Sequence, residues 1–315
     1  MSMPAPPLRV ATRGSEQARA QAGFVAGQLA AATGRAVALV LVETTGDKVR
    51  DRPIWEIGGR GVFTKEVQVA VLDGRADVAV HSAKDLPSSW TTDGLVLGSV
   101  PERADARDAI VGYTLADLPY GATVATGSVR RRTQLAHLRA DLVFVGLRGN
   151  IPTRIATARQ RDGNGAATSD GTGAGTADAV LVAAAGANWI GLGDRLAEVF
   201  DIDVMVPQVG QGALAIECRA DDHATIAALR TIEHEPSRRR VDAERSFLAH
   251  LGGGCDLPVG AHALVRPDGS LHIVGLIASA DGATVLRDEM VGDDVSIGAA
   301  LAGDLLARGG HLLER

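Results

Sequence analysis

Long apolar runs are missing from this sequence of 315 residues. Nothing in it approaches the ~20 consecutive apolar residues that cross a bilayer, so no membrane partner is expected. Cysteine is almost absent, with only Cys218 and Cys255. Residues Met1 to Leu8 lack the basic-then-apolar pattern of a secretory leader. A chain with few thiols and no export signal is expected in the cytoplasm, with both cysteines reduced. Positive charge is also short: Lys and Arg number 32 against 38 Asp and Glu, a net charge of −6. That balance excludes broad nucleic-acid binding, which needs a basic face.

What is present is a globular composition. Hydrophobic residues make up 46% and charged residues 22%, enough for real cores, and the length corresponds to two or three domains. Against the acidic background, arginines cluster at Arg130, Arg131 and Arg132, then at Arg148 and Arg154. Most such runs are solvated helix faces. In an acidic chain, a local comb of guanidinium groups equally fits a small anionic ligand held in a cleft.

In chain order, Leu8–Thr12 reads as a strand and 16–32 as a helix, with Ser15 as its N-cap and Arg13 beside the anion-ready helix start. Ala36–Glu43 reads as a near-continuous apolar strand of the kind covered on both faces. The polar stretch Thr44–Gly61 is long for a tight connection and is expected to be a functional lid. A helix is expected over Phe63–Leu72 and a strand over Asp77–His81, running into Ser82-Ala83-Lys84-Asp85-Leu86-Pro87. A Lys-Asp pair just past a buried strand sits where open α/β sheets place ligands, although a surface salt bridge would look the same. After a polar hinge at 100–109, a second α/β unit has expected strands at Ala109–Val111, Thr123–Ala125, Leu142–Leu147 and Ala179–Ala183. Two of its strand-to-helix junctions carry arginine: Thr126-Gly127-Ser128 before Arg130 and Arg131, and Arg148-Gly149-Asn150 before Arg154. Residues 162–178 are low-complexity and expected to be a flexible insertion.

From Leu214 to Cys218 the pattern is a buried strand, with Cys218 in the core; 222–231 is helical. A charged helix over Ser237–Leu251 leads into Gly252-Gly253-Gly254-Cys255. Three glycines imply left-handed or close-packed backbone. Read alone, Cys255 fits either a small buried thiol at a turn or an accessible reactive one. Three strands follow, at about 259–265, 271–278 and 284–290, with Asp268-Gly269 and Asp281-Gly282 as hairpin turns, and then a helix over 296–307.

Seven motifs follow one another along the chain: Thr12-Arg13-Gly14-Ser15, Gly58-Gly59-Arg60-Gly61-Val62-Phe63, Val80-His81-Ser82-Ala83-Lys84-Asp85-Leu86-Pro87, Thr126-Gly127-Ser128-Val129-Arg130-Arg131, Leu147-Arg148-Gly149-Asn150, Val209-Gly210-Gln211-Gly212-Ala213 and Gly253-Gly254-Cys255. In this order they resemble the porphobilinogen deaminase (hydroxymethylbilane synthase) family over nearly the whole chain. The resemblance implies an α/β fold: two periplasmic-binding-protein-like lobes with a cleft between them, plus a small α+β C-terminal domain with a three-stranded antiparallel sheet. The implied boundaries are 8–102 with 207–230 for a discontinuous first lobe, 103–206 for the second, and 231–315 for the C-terminal domain.

The implied activity is that of a transferase of tetrapyrrole biosynthesis. It condenses four porphobilinogen molecules head to tail with loss of ammonia, on a dipyrromethane cofactor tethered to Cys255 by a thioether. Hydrolysis then frees linear hydroxymethylbilane. Asp85 is the implied catalytic group. Arg13, Ser15, Lys84, Thr126, Ser128, Arg130, Arg131, Arg148, Gly149, Arg154 and Gln211 are implied to bind cofactor and substrate, and Asp47, Arg60 and Phe63 belong to the loop over the site. Guanidinium forks are the natural counter-charge for the acetate and propionate groups of porphobilinogen. No metal is implied; a monomer is expected, with the product passed to uroporphyrinogen-III synthase.

The chain departs from the family's usual pattern at Glu56, in place of lysine, at Gly127, often serine, and at Trp189, often arginine. One lost charge-assisted contact costs about 1–3 kcal/mol locally. Two alternatives therefore stand beside an active deaminase: a catalytically impaired deaminase-like paralogue, and a non-catalytic ligand-binding protein on the same fold.

Overall fold

Buried Leu8, Val10, Ala11 and Thr12 set the first strand, β1 (Leu8–Arg13), in the middle of a sheet. The computed structural model describes residues 6–44, 63–87, 92–161, 167–168, 176–253 and 257–313. The helix after β1, α1 (Glu16–Thr33), starts at Ser15, whose hydroxyl accepts a hydrogen bond from the Ala18 N–H at 3.3 Å. It ends at Gly34 in the left-handed conformation, φ 68°. Next come β2 (Val37–Val42), α2 (Lys65–Leu72), β3 (Val78–Ser82) and β4 (Leu95–Ser99). The elements after them are β5 (Asp108–Val111), β6 (Thr123–Ala125), α3 (Val129–Leu138), β7 (Val143–Val145) and α4 (Ile151–Ala156). A two-residue pairing joins β8 (Gln160–Arg161) to β9 (Ala167–Thr168), ahead of β10 (Ala179–Ala183), α5 (Ala184–Asn188) and β11 (Glu198–Val199). Then follow β12 (Leu214–Arg219), α6 (His223–Arg230), α7 (Glu235–His250), β13 (Val259–Val265), β14 (Leu271–Ala278), β15 (Val285–Gly292) and α8 (Ile297–Gly309).

These elements fall into two compact units, one of Met1–Ala104 with Ala213–Asp242 and the other of Asp105–Gly212 with Ala243–Arg315. In the first, the strand order is β2-β1-β3-β12-β4. β1 runs parallel to both neighbours, while β12 is antiparallel to β3 and β4. α2 buries Val67, Ala70 and Val71 against Ala11, Val42, Ala79 and Leu95. β2 differs from the expectation of a strand covered on both faces. It is the edge of the sheet, and Leu39 and Leu41 are exposed. Its apolar run reflects β-propensity at an edge as much as burial.

The second unit holds two larger sheets besides the β8-β9 pairing. One has the order β11-β5-β10-β6-β7, with β6 parallel to β10 and β7 and β5 antiparallel to β10. The other is the antiparallel β13-β14-β15, packed with α8 and the C-terminal half of α7 through Phe247, Ile273, Ile277, Leu301 and Leu305. Two mixed α/β sheets plus a small antiparallel one is the fold class expected from the sequence. The stretch read as an insertion stops short of its expected end: Ala177 is fully buried, and the Asp178 carboxylate accepts from the Thr123 N–H at 2.8 Å. The two weak strands β4 and β11 carried no periodicity strong enough to mark them. No helix among the described residues is long and apolar enough to cross a membrane.

Candidate functional site

In the first unit, the strand-to-helix turn after β1 places Arg13 beside the capped start of α1, and its guanidinium carbon lies 4.1 Å from the centroid of the Phe63 ring. Arg13 and the loop-end aromatic are thus brought together by a cation–π contact. β3 continues into a single 3-10 turn, Ala83–Asp85, which carries Lys84 and Asp85. The turn is anchored on both sides: the Ala83 N–H donates to the Ala213 carbonyl at 2.9 Å, and Ala83 and Leu86 are buried with Val100, Ala215 and Val241. Lys84 and Asp85 themselves are half-buried.

On the strand leading into the turn, His81 joins a buried polar cluster whose acidic member, Glu217, lies in none of the motifs. Glu217 on β12 accepts from the Gln68 side chain at 2.8 Å and lies 3.0 Å from His81 Nε2. It ties α2, β3 and β12 together at the base of the Asp85 turn. Its only sequence signal is an acidic residue inside the apolar run Leu214–Cys218.

In the second unit, β6 runs into Thr126-Gly127-Ser128. Ser128 caps α3 by accepting from the Arg131 N–H, and Thr126 Oγ1 accepts from the Ser128 N–H at 3.2 Å. A Cβ at Gly127 would stand 2.7 Å from the Leu147 carbonyl oxygen, so glycine suits the close approach of the two junctions. Arg130 and Arg131 turn inward rather than lying on a solvated face, and both are buried. Each meets Asp108, the first residue of β5. Arg130 Nη1 donates to Asp108 Oδ2 at 2.6 Å and to the Val206 carbonyl at 2.6 Å. Arg131 Nε donates to Asp108 Oδ1 at 2.8 Å, and its Nη1 to the Leu181 carbonyl at 3.1 Å. Gln211 closes the cluster: its amide donates to Asp108 Oδ1 and to the Ala106 carbonyl, each at 2.8 Å.

Burial alone would push the Asp108 carboxyl up, but the Arg130 and Arg131 guanidiniums overcome it and hold it far below the usual carboxylate range. Burial, with Arg130 alongside, pulls the Arg131 guanidinium below its ordinary value against the pull of Asp108. The cluster holds one carboxylate for two guanidiniums. Arg130 Nε and Nη2, which together form one bidentate edge, are buried with no hydrogen-bond partner among the described residues. An unmet buried donor costs about 1–3 kcal/mol, and more when charged, so this edge calls for an acceptor.

The loop carrying Gln211 is itself pinned. Gly210 and Gly212 take left-handed conformations, φ 72° and 82°. Glu244 on α7, fully buried, accepts from the Gly210 N–H at 2.8 Å and from the Ala263 N–H at 2.9 Å. Neither Asp108 nor Glu244 was singled out from the sequence. Asp108 had one signal, an acidic residue opening the otherwise apolar strand Asp108-Ala109-Ile110-Val111.

At the second junction, Asn150 caps α4 by accepting from the Thr153 N–H at 3.0 Å, and Gly149 is left-handed, φ 94°. Arg154 Nε donates to the Gly149 carbonyl at 2.8 Å, and Arg148 is exposed beside it. Trp189 is half-buried at the end of α5. α7 gives way to Gly252 in the left-handed conformation, φ 64°, and a Cβ at Gly253 would lie 2.2 Å from Leu257 Cδ1. Both geometries foreseen for the glycine run are therefore present. Cys255, Asp47, Glu56 and Arg60 lie outside the described residues.

Comparison with known proteins adds names to this geometry. The family described as porphobilinogen deaminase, dipyromethane cofactor binding domain, matches residues 8–227, and the porphobilinogen deaminase C-terminal domain matches residues 238–307. The porphobilinogen deaminase of Syntrophotalea carbinolica is 40% identical over 309 residues, covering 96% of this chain and 93% of that protein. That of Roseiflexus castenholzii is 42% identical over 312 residues, covering 97% and 98%. Among solved structures, the methionine binding protein MetQ aligns with a TM-score of 0.41 and 14% identity, over 71% of this chain and 87% of its own.

Proposed function

Because the chain belongs to the porphobilinogen deaminase family, whose members are transferases, we propose that it condenses four porphobilinogen molecules into linear hydroxymethylbilane, releasing one ammonia at each addition. The family's cofactor is dipyrromethane, and we assign its attachment to Cys255. When bound, it supplies the fixed pyrrole end on which the product grows. The donor set fits such a polycarboxylate: two capped helix starts, each with arginine, and above all the unpartnered Nε–Nη2 edge of Arg130. That edge is the observation that carries the reading, since a buried bidentate donor matches a carboxylate.

In this reading Arg130 takes a carboxylate on its free edge, and Arg131 holds the partner charge in place. Thr126, Ser128, Arg148, Gly149 and Arg154 bind further acetate and propionate groups at the two junctions. Arg13, Ser15 and Lys84 do the same in the first unit. Asp85 accepts hydrogen bonds from pyrrole N–H groups and stabilises the positive charge that develops as ammonia leaves. Asp47, Arg60 and Phe63 cover the reacting groups. The protein works as a cytoplasmic monomer and hands its product to uroporphyrinogen-III synthase.

The test is stoichiometric. Purified protein given porphobilinogen should release four ammonia molecules for each hydroxymethylbilane formed. Binding of porphobilinogen without ammonia release would refute the reading.

A further inference from the structure

We propose that Asp108 is a positioning residue for this reaction, fixing Arg130 and Arg131 so that the Nε–Nη2 edge of Arg130 faces an anionic group. The inference rests on the deaminase reading above. It starts from the rigidity of Asp108. Its backbone is held in the sheet, with the Phe200 N–H donating to its carbonyl at 2.9 Å and Ala183 as its partner on β10. Its two oxygens are divided: Oδ2 takes Nη1 of Arg130, while Oδ1 takes Arg131 and Gln211. Pinning Nη1 between Asp108 and the Val206 carbonyl leaves only one orientation for the Arg130 plane, and therefore for its opposite edge.

Charge supports the same assignment. A purely structural ion pair would match one carboxylate to one guanidinium and leave no buried donor unmet. Here one carboxylate serves two guanidiniums, and the surplus positive charge coincides with the unpartnered edge. Without Asp108 the two arginines would repel each other in a medium of low dielectric, and neither would keep its place. The Asp108 carboxylate thus aligns the fork without occupying it. It is not a catalytic residue, since the ligand meets Arg130 and not Asp108.

The experiment compares full-length wild type, Asp108→Asn and Asp108→Glu by three readouts: KM and kcat for porphobilinogen, the fraction of chains carrying the covalent cofactor by intact mass, and melting temperature. Asp108→Asn should raise KM, or lower the cofactor-bearing fraction, by about ten-fold, the effect of one misplaced bidentate contact. Asp108→Glu keeps the charge but moves it by one methylene. It should remain folded and still raise KM several-fold, with kcat changed less. A merely structural role would lower the folded fraction and leave KM untouched. Wild-type KM and cofactor content in folded Asp108→Glu would overturn the assignment, even if Asp108→Asn fails to fold. Absence of turnover in the wild type would instead overturn the deaminase reading itself.

Discussion

Replacing Asp85 with alanine is expected to lower kcat by about 10²–10³-fold or more, the cost of removing one group aimed at developing charge. Melting temperature should stay within a few degrees of the parent. The second expectation follows from where the turn gets its rigidity. Ala83 and Leu86 are buried on either side, and the Ala83 N–H is bonded to the Ala213 carbonyl, so the backbone around Asp85 does not depend on its side chain. Asp85→Asn separates charge from hydrogen bonding: it keeps one carbonyl acceptor but no negative charge, and should be nearly as inactive as the alanine variant. Turnover close to wild type in Asp85→Asn would show that charge at this position does not matter.

The largest effect on stability is expected at Gly298, in the first turn of α8. A Cβ there would lie 2.0 Å from the Ala243 carbonyl oxygen and 2.7 Å from the Phe247 N, both backbone atoms of α7. Backbone cannot rotate away as a side chain can, so Gly298→Ala must separate the two helices over Phe247, Leu301 and the sheet beneath. Overpacking costs typically 1–3 kcal/mol, and a backbone clash belongs at or above the upper end, roughly 3 kcal/mol. For a chain of 315 residues, at about 2.1 cal/mol/K of unfolding entropy per residue, that corresponds to a fall of about 4–5 °C in Tm. Gly303 on the same helix is the control. A Cβ there would meet only His250 Nε2, at 3.5 Å. Gly303→Ala should raise stability by about 0.5–1 kcal/mol through helix propensity. Equal Tm values for the two variants would contradict the close-packed crossing.

What the sequence made legible was local. Ser15, Ser128 and Asn150 cap helices within three residues of themselves, so cap, turn and arginine could be read together as anion-ready junctions. The glycines at 252 and 253 were legible for the same reason: their geometry is imposed by immediate neighbours. The partners that organise those junctions were not. Asp108 meets Arg130 across 22 positions and Gln211 across 103, and Gln68 meets Glu217 across 149. No periodicity encodes such a pairing; only the sheet order brings β5 beside β10 and β12 beside β3. The arginine comb was accordingly visible as charge but not as a buried cluster. β2 shows the converse, a run apolar enough for the interior that the topology leaves at an edge.

The covalent cofactor is the most direct consequence of the proposed function, and intact mass spectrometry of the purified full chain measures it in one step. The wild type should be heavier than its sequence by one dipyrromethane, and Cys255→Ser should have the mass of the bare chain. Wild-type protein that remains at the bare chain mass after incubation with porphobilinogen would contradict the account, as would an excess that survives in Cys255→Ser.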